Sequence, residues 1–272
     1  MRPSARRYAG SLGTKEAFLV RSLAEEGRAI FGTDDASRLV GHGAKELVHR
    51  LTRKKWVLPL KRGLYAVVPL DIGVRGADAF VVHSFVVAAM LVEPYYIGYW
   101  SALNHHGLTD QIPRTTFVAT TKVRHPVKVL DEEYCFVKLA PAKFFGWQEV
   151  EVEGRKVRMS GPEKTVADCL DHPEHCGGIE QVARAVYFSH EEISLARVGD
   201  YAKRMGNRTV LKRLGHVLEV TGLLPRYERL FRGFQPSAGF PKLDTLSPKT
   251  GKHDGRWKLL INYRLDPEGW RY

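Results

Sequence analysis

Residues 44–55, with the sequence AKELVHRLTRKK, constrain the fold of this chain more than any other stretch. Four small or aliphatic residues recur there at the i, i+3, i+4 and i+7 spacing of one helix face: Ala44, Leu47, Val48 and Leu51. The basic residues of the segment fall outside that stripe. We therefore predict an amphipathic helix that buries its apolar stripe against other helices and turns a cationic face outward.

Two helices are expected before this segment. The first covers residues 14 to about 28, with Thr14 as its N-cap. Its predicted buried face contains Ala17, Val20, Leu23 and Ala24. A short strand follows at residues 30–31. The second helix covers residues 32 to about 41 and has acidic residues in its first turn, where the helix dipole favours them.

A basic hairpin is expected after the cationic helix. Two apolar runs, residues 56–58 and 64–68, flank a turn at residues 59–63 that has Lys61 and Arg62 at its tip. Helix, short strand, helix, basic helix and basic hairpin is the element order of a winged helix-turn-helix.

The remaining sequence predicts a second, larger domain. Residues 71–78 are interpreted as a linker, and residues 79–224 carry strand signals followed mainly by helix signals. Residues 225–272 are loop-rich, with one strand expected at residues 257–263, and are predicted to be an arm that packs on the second domain. The predicted fold class is α+β: a winged helix-turn-helix over residues 1–70, then a mixed α/β domain with helices after the strands.

The net charge of +12 is distributed unevenly along the chain. Residues 1–70 hold 14 Lys and Arg against 6 Asp and Glu, residues 71–190 hold 12 against 15, and residues 191–272 hold 16 against 9. A basic head and tail are typical of a protein that binds a polyanion, because Lys and Arg beside phosphates release condensed counterions. For charge alone, a basic surface that serves only solubility is the alternative.

Double-stranded DNA is the expected partner of the N-terminal domain, because a helix fits the major groove and Lys or Arg can reach guanine there. The candidates nearest the bases are Lys45, His49, Arg50 and Arg53. The candidates for phosphate and wing contacts are Lys54, Lys55, Lys61 and Arg62. Basic side chains near a helix C-terminus also serve capping, so part of this cluster has a structural alternative.

A second basic set occurs late in the chain and consists of Lys203, Arg204, Arg208, Lys212 and Arg213. These residues lie opposite or beside the buried stripes of two predicted helices. They form either a solvated outer face or a second surface that contacts nucleic acid or a partner.

Residues 168–176, DCLDHPEHC, gather two thiols and two imidazoles, but their spacing does not match a zinc finger. Cys169 is expected on a buried helix face. No metal, cofactor or catalytic residue is therefore predicted, and the chain is not expected to be an enzyme.

Two alternatives to a DNA-binding regulator without enzymatic activity stay open. One is a metal-dependent nuclease with its site in residues 79–190, built from Asp168, Asp171 and the sequence Asn104-His105-His106. The other is a regulator whose second domain senses a small effector.

The sequence has no apolar run of the length that a membrane span requires and no signal-peptide pattern, so a cytoplasmic protein without a membrane partner is expected. Three cysteines with no CxxC pair indicate reduced thiols rather than disulfides.

Several segments resemble one known family. These are KRGLYAVV, YYIGYWSALNHHGLTDQIP, TTFVATTK and SGPEKTVADCLDHPEHCGG, together with the helical stretch that ends at Gly222. Over about residues 14–222 the chain resembles the AbiEi antitoxins of type IV toxin–antitoxin systems, which act in abortive infection by phage. The long basic tail departs from shorter members of that family.

The resemblance implies a winged-helix domain that represses its own operon at inverted repeats and a second domain that counters a nucleotidyltransferase toxin without a stable complex. It implies a monomer in solution or a weak dimer on DNA. The resemblance assigns DNA binding to six residues of the third helix and the wing: Lys45, His49, Arg50, Arg53, Lys61 and Arg62. It assigns no catalytic residue.

Overall fold

The computed structural model describes residues 10–28, 30–68, 83–129 and 132–270. The chain divides into two compact units. Unit 1 contains residues 1–83 with 129–131, and unit 2 contains residues 84–128 with 132–272. The predicted linker at residues 71–78 lies outside the described residues.

Unit 1 has the predicted element order. Its helices are α1 (Thr14–Glu25), α2 (Thr33–Val40) and α3 (Ala44–Arg53), and its strands are β1 (Ile30–Gly32), β2 (Val57–Lys61) and β3 (Leu64–Val67). The three strands form an antiparallel sheet in the order β1-β3-β2. This is a winged helix-turn-helix in which β2 and β3 form the wing.

Helix α1 differs from its prediction in its N-cap and in its buried face, and the second difference bears on the site. Its N-cap is Gly13 rather than Thr14, and its buried residues are Glu16, Leu19, Val20 and Leu23. Ala17 and Ala24 are exposed. The buried face is thus rotated from the predicted one, and it includes a carboxylate.

Unit 2 is built on a six-stranded mixed sheet in the order β6-β7-β5-β4-β9-β8. The strands are β4 (Tyr95–Ile97), β5 (Thr115–Thr120), β6 (Val127–Val129), β7 (Glu132–Lys138), β8 (Trp147–Val152) and β9 (Arg155–Ser160). The pairs β5–β7 and β4–β9 are parallel, while β4–β5 and β8–β9 are antiparallel.

Helices dominate the second half of unit 2, as predicted. The helices of this unit are α4 (Ser84–Leu91), α5 (Tyr99–His105), α6 (Pro162–Asp171), α7 (Ile179–Ser189), α8 (Leu195–Arg204), α9 (Arg208–Val220) and the single turn α10 (Leu224–Tyr227). One apolar cluster joins the faces of α5–α9 to the sheet. The predicted α+β class is therefore confirmed.

The C-terminal residues pack on α9 and join that cluster. Two short antiparallel strands, β10 (Lys252–Asp254) and β11 (Leu259–Ile261), form a hairpin where one strand was predicted. The indole of Trp257 lies on Gly215 of α9 so closely that a Cβ at residue 215 would come within 2.2 Å of the ring. A glycine at that position therefore lets the tail approach the helix backbone.

No helix in the described part of the chain combines the length and apolarity needed to cross a membrane.

Candidate nucleic-acid interface

Helix α3 separates its apolar and basic residues as the sequence predicts. Ala44, Leu47, Val48 and Leu51 are buried in the unit 1 core. The four residues predicted to lie nearest the bases are all exposed: Lys45, His49, Arg50 and Arg53. Among the described residues, no carboxylate pairs with Lys45 or Arg53. The helix thus presents a cationic face of the kind that enters a major groove.

The C-terminal end of α3 is closed by a Schellman motif. The N–H of Trp56 donates to the carbonyl of Leu51 at 3.0 Å, and the N–H of Lys55 donates to that of Thr52 at 3.0 Å. Lys55 occupies the left-handed position of the motif with φ 63°, where glycine is the usual residue. This turn sends the chain directly from α3 into the wing.

The wing tip is a tight turn that exposes Arg62. Gly63 has φ 78°, and its carbonyl accepts from the N–H of Thr33 at 3.1 Å, which ties the tip to the start of α2. Arg62 pairs with no carboxylate of the described chain. Lys61 belongs to β2, but its side chain lies outside the described part of the structure.

A buried carboxylate that sequence reasoning missed lies beside the basic cluster. Glu16 of α1 is 4% exposed, and its Oε2 accepts from Lys54 Nζ at 2.6 Å and from the N–H of Gly13 at 2.8 Å. Its Oε1 lies 3.4 Å from Arg50 Nε. Burial would raise the pKa of Glu16, but hydrogen bonds from Lys54 and Gly13, with Arg50, outweigh it and lower that pKa. Glu16 therefore joins α1 to the basic end of α3.

The structure corrects the assignment of Lys54 to a phosphate contact. Besides Glu16, its ammonium donates to the carbonyl of Ser11 at 2.9 Å, and its own carbonyl accepts from the N–H of Gly10 at 3.1 Å. Lys54 is thus occupied in holding the residues before α1. A signal for this was present in the sequence, since Glu16 falls on the same helical stripe as Leu19, Val20 and Leu23 and a buried carboxylate requires a partner.

The prediction of a second basic surface is wrong for two of its five residues. Lys212 and Arg213 are 0% and 3% exposed. Lys212 Nζ donates to the carbonyls of Ser237, Gly239 and Lys258 at 2.9, 2.7 and 3.1 Å. All three of its N–H groups therefore serve the tail.

Arg213 also donates to backbone carbonyls, but its partners lie in α6 as well as in the tail. Its guanidinium donates to the carbonyl of Leu170 at 2.6 Å, to that of Asp171 at 2.9 Å and, through Nη2, to that of Lys242 at 2.9 Å. Burial lowers the pKa of both Lys212 and Arg213. These cations hold backbone carbonyls that the tail and the end of α6 would otherwise leave unpaired.

The other three members of that set are exposed. Lys203 Nζ lies 3.3 Å from Asp200 Oδ1, and the Arg204 guanidinium stacks over Phe145 at 3.8 Å from the ring centroid. Within the part of the chain that the structure describes, Arg208 is held by a 3.4 Å contact with the carbonyl of Gln235. What remains is a smaller cationic patch at the α8–α9 corner.

The carboxylates of the nuclease alternative are not arranged to meet a substrate. Asp168 is 1% exposed, pairs with Lys164 and accepts from the Tyr96 hydroxyl at 2.8 Å. Burial raises the pKa of Asp168 although Lys164 lowers it. Asp171 is bound by Lys143 at 2.6 Å and by Asn207.

The histidine pair of that alternative lies at the C-terminal end of α5. His106 Nε2 contacts the carbonyl of Ser160 at 2.7 Å, and Asn104 donates to that of Gln111 at 3.1 Å. The PEKTVADCLD segment therefore serves internal packing, and His106 and Asn104 contact backbone carbonyls, whereas His105 is exposed.

No protein-family model and no curated protein match the sequence. Among solved structures, the chain is similar to the crystal structure of the RV2827C protein from Mycobacterium tuberculosis, with a TM-score of 0.69 and 14% identity. The similarity covers 93% of this chain and 93% of that chain. It shows that the α+β fold is shared over nearly the whole length.

Proposed function

We propose that the chain is a transcriptional autorepressor that binds double-stranded DNA through α3 and the wing, and that it acts as the antitoxin of a type IV toxin–antitoxin system. Unit 1 reads the DNA, and unit 2 counters a nucleotidyltransferase toxin without a stable complex. Two copies bind an inverted repeat in the promoter, as a weak dimer or as separate monomers.

One observation carries the DNA-binding half of the proposal. The apolar stripe of α3 is buried in the unit 1 core, while Lys45, His49, Arg50 and Arg53 are exposed on the opposite face. Arg62 is exposed at the wing tip that comes after the same helix. A helix for the major groove next to a basic wing is the arrangement that this fold uses on DNA.

Electrostatics support the same surface. Each phosphate neutralised by Lys or Arg releases a condensed counterion, so affinity should fall steeply with added salt. Arg50 is the weakest of the α3 candidates, because Glu16 offsets part of its charge. Lys45, Arg53 and Arg62 are therefore the residues with which to test the interface.

The test is a mobility-shift titration of the promoter fragment at several salt concentrations. Lys45→Ala combined with Arg53→Ala should weaken binding by about 1–3 kcal/mol per side chain and reduce the salt slope by about 1 for each lost phosphate contact. The matched control is Lys156→Ala combined with Arg197→Ala, which removes the same charge from exposed positions of unit 2 that belong to neither basic set. Equal losses in both double variants would show that the affinity comes from overall charge and not from α3.

The antitoxin half of the proposal rests on the family resemblance of residues 14–222 and on the presence of a second unit larger than DNA binding needs. If the adjacent gene encodes a nucleotidyltransferase, co-expression of this chain should restore the growth of cells that produce that toxin. The Lys45→Ala and Arg53→Ala double variant should lose repression and keep this rescue, because its changes lie in unit 1. If the chain, expressed at the same level as the toxin, does not restore growth, the antitoxin role is excluded and only the role as a transcriptional regulator is supported.

A further inference from the structure

The half-buried turn after α6 brings two imidazoles and a carboxylate together. His172, Glu174 and His175 each offer a ligand atom, and these three atoms lie within 4.8 Å of one another. Pro173–His175 form a short 3-10 helix, which places the two histidines three residues apart on one side. The thiols of Cys169 and Cys176 do not take part, because both are buried in the core.

We propose that His172, Glu174 and His175 bind one Zn²⁺ ion. Two nitrogens and a carboxylate oxygen are a donor set that zinc accepts, whereas Mg²⁺ and Ca²⁺ prefer oxygen ligands alone. Ligands about 2.0–2.1 Å from a tetrahedral ion lie roughly 3.3 Å from each other. His172 Nδ1 and Glu174 Oε1 are already 3.0 Å apart. The third ligand atom, on His175, lies within 4.8 Å of the other two, and a bound ion would draw it closer to them.

Neighbouring residues orient the ligands in the way that metal sites require. The Thr245 hydroxyl donates to Glu174 Oε2 at 2.5 Å, which leaves Oε1 directed at His172. On the other side of the His172 ring, Nε2 lies 3.6 Å from Asp171 Oδ2. This separation is too long for a hydrogen bond, so the Asp171 carboxylate acts on His172 through its charge, which raises the basicity of the ligand nitrogen.

The site is open to solution. The side chains of His172 and Glu174 are 35% and 31% exposed, so an ion can enter and its fourth position is left to water or to a ligand atom of a partner. The ring of His175 packs on Tyr99, with centroids 5.3 Å apart, and on Phe117, with centroids 5.8 Å apart. These contacts hold the third ligand in place.

Calorimetric titration with Zn²⁺ tests the proposal on the full chain, after removal of any affinity tag and dialysis against a chelator. One equivalent should bind, and Co²⁺ in the same site should give the visible absorption of a four-coordinate ion. Glu174→Gln and His175→Asn should each weaken binding at least about 100-fold, and Thr245→Val about 10-fold. Zn²⁺ should raise the Tm of the wild type and not that of Glu174→Gln.

Two control variants separate this site from adventitious binding. His125→Asn removes an exposed histidine, and Cys135→Ser removes a half-buried thiol. Both should bind zinc like the wild type. Circular dichroism without metal shows which variants fold, and if His175→Asn does not fold, the isosteric Glu174→Gln decides. A wild type without stoichiometric binding, or unchanged affinity in Glu174→Gln, would overturn the site.

Discussion

Helices α3 and α9 have the same kind of sequence and opposite uses for it. Each carries an aliphatic stripe at helical spacing with basic residues beside it. In α3 those residues are exposed, and in α9 Lys212 and Arg213 are buried against backbone carbonyls. The difference comes from the segment after each helix, because the wing packs on the apolar side of α3 and leaves its basic face exposed, whereas the tail returns over the basic residues of α9.

Basic residues acquire a structural role where a later segment of the chain returns over them. A returning tail without regular structure exposes carbonyls that no strand or helix satisfies, and a buried carbonyl needs a donor. Lys and Arg bring three to five donors each. A charge-rich helix face can therefore be an internal clamp as readily as an interface, and the helix alone does not reveal which.

The largest expected effect is the loss of the α9 clamp. Arg213→Met removes the donors for the carbonyls of Leu170, Asp171 and Lys242. We expect the free energy of unfolding to fall by about 3–5 kcal/mol, because each of the three carbonyls loses a charged donor at about 1–3 kcal/mol. Urea unfolding curves of the wild type and of Arg213→Met measure this difference in the free energy of unfolding.

The matched variant in α3 is Arg53→Met, whose side chain is exposed. It should change stability by no more than about 0.5 kcal/mol while weakening DNA binding. Similar stabilities for the two variants would remove the distinction between clamp and interface.

The part of the fold that local patterns specify could be predicted from the sequence. The α3 stripe was predicted residue for residue, because a helix that packs on two others needs apolar residues at that spacing and nothing else. The order of elements in unit 1 could be predicted from the glycines and turn residues between them. That the exposed cations of α3 contact DNA stays a prediction.

The features that the sequence did not reveal depend on residues distant along the chain. Lys212 is paired by carbonyls 25 to 46 residues further on, and no pattern within α9 indicates their return. Likewise, His172, Glu174 and His175 come together because residues 173–175 form a 3-10 helix. The spacing of the cysteines and histidines does not match a zinc finger and gives no indication of this turn. Glu16 was different, since its place on an apolar stripe was visible.

A smaller effect is expected where a buried carboxylate restrains α3. Glu16→Gln keeps the shape of the side chain and removes its charge, so Lys54 and Arg50 lose their partner. We expect a loss of about 1–3 kcal/mol near neutral pH, the range for hydrogen bonds to a charged group. DNA affinity should be kept or raised, because Arg50 is released.

The pH dependence of this loss can be derived from the lowered pKa of Glu16. Because the folded-state pKa is below the ordinary 4.5, the contribution is fully present above that value and disappears as pH falls through the lowered pKa. Unfolding curves of wild type and Glu16→Gln should therefore converge in acid. A stability difference that persists at the lowest pH would assign the effect to packing.

The smallest effect concerns how the two helices end. Helix α9 is followed by Gly222 in the left-handed region, with φ 73°, whereas α3 places Lys55 there, with φ 63°. A side chain with a Cβ costs about 1–2 kcal/mol in that region, and the greater freedom of glycine in the unfolded chain offsets part of this. Lys55→Gly should therefore be more stable than Lys55→Ala by about 0.5–1 kcal/mol in thermal unfolding.

The alanine variant removes the same side-chain contacts as glycine and keeps the strain, so equal stabilities would show that the turn after α3 is not strained. Another outcome is that Lys55→Gly is more stable than Lys55→Ala while both variants bind DNA more weakly than the wild type. In that case the turn after α3 keeps a strained residue, where the turn after α9 has glycine, because the cationic side chain of Lys55 contributes to DNA binding.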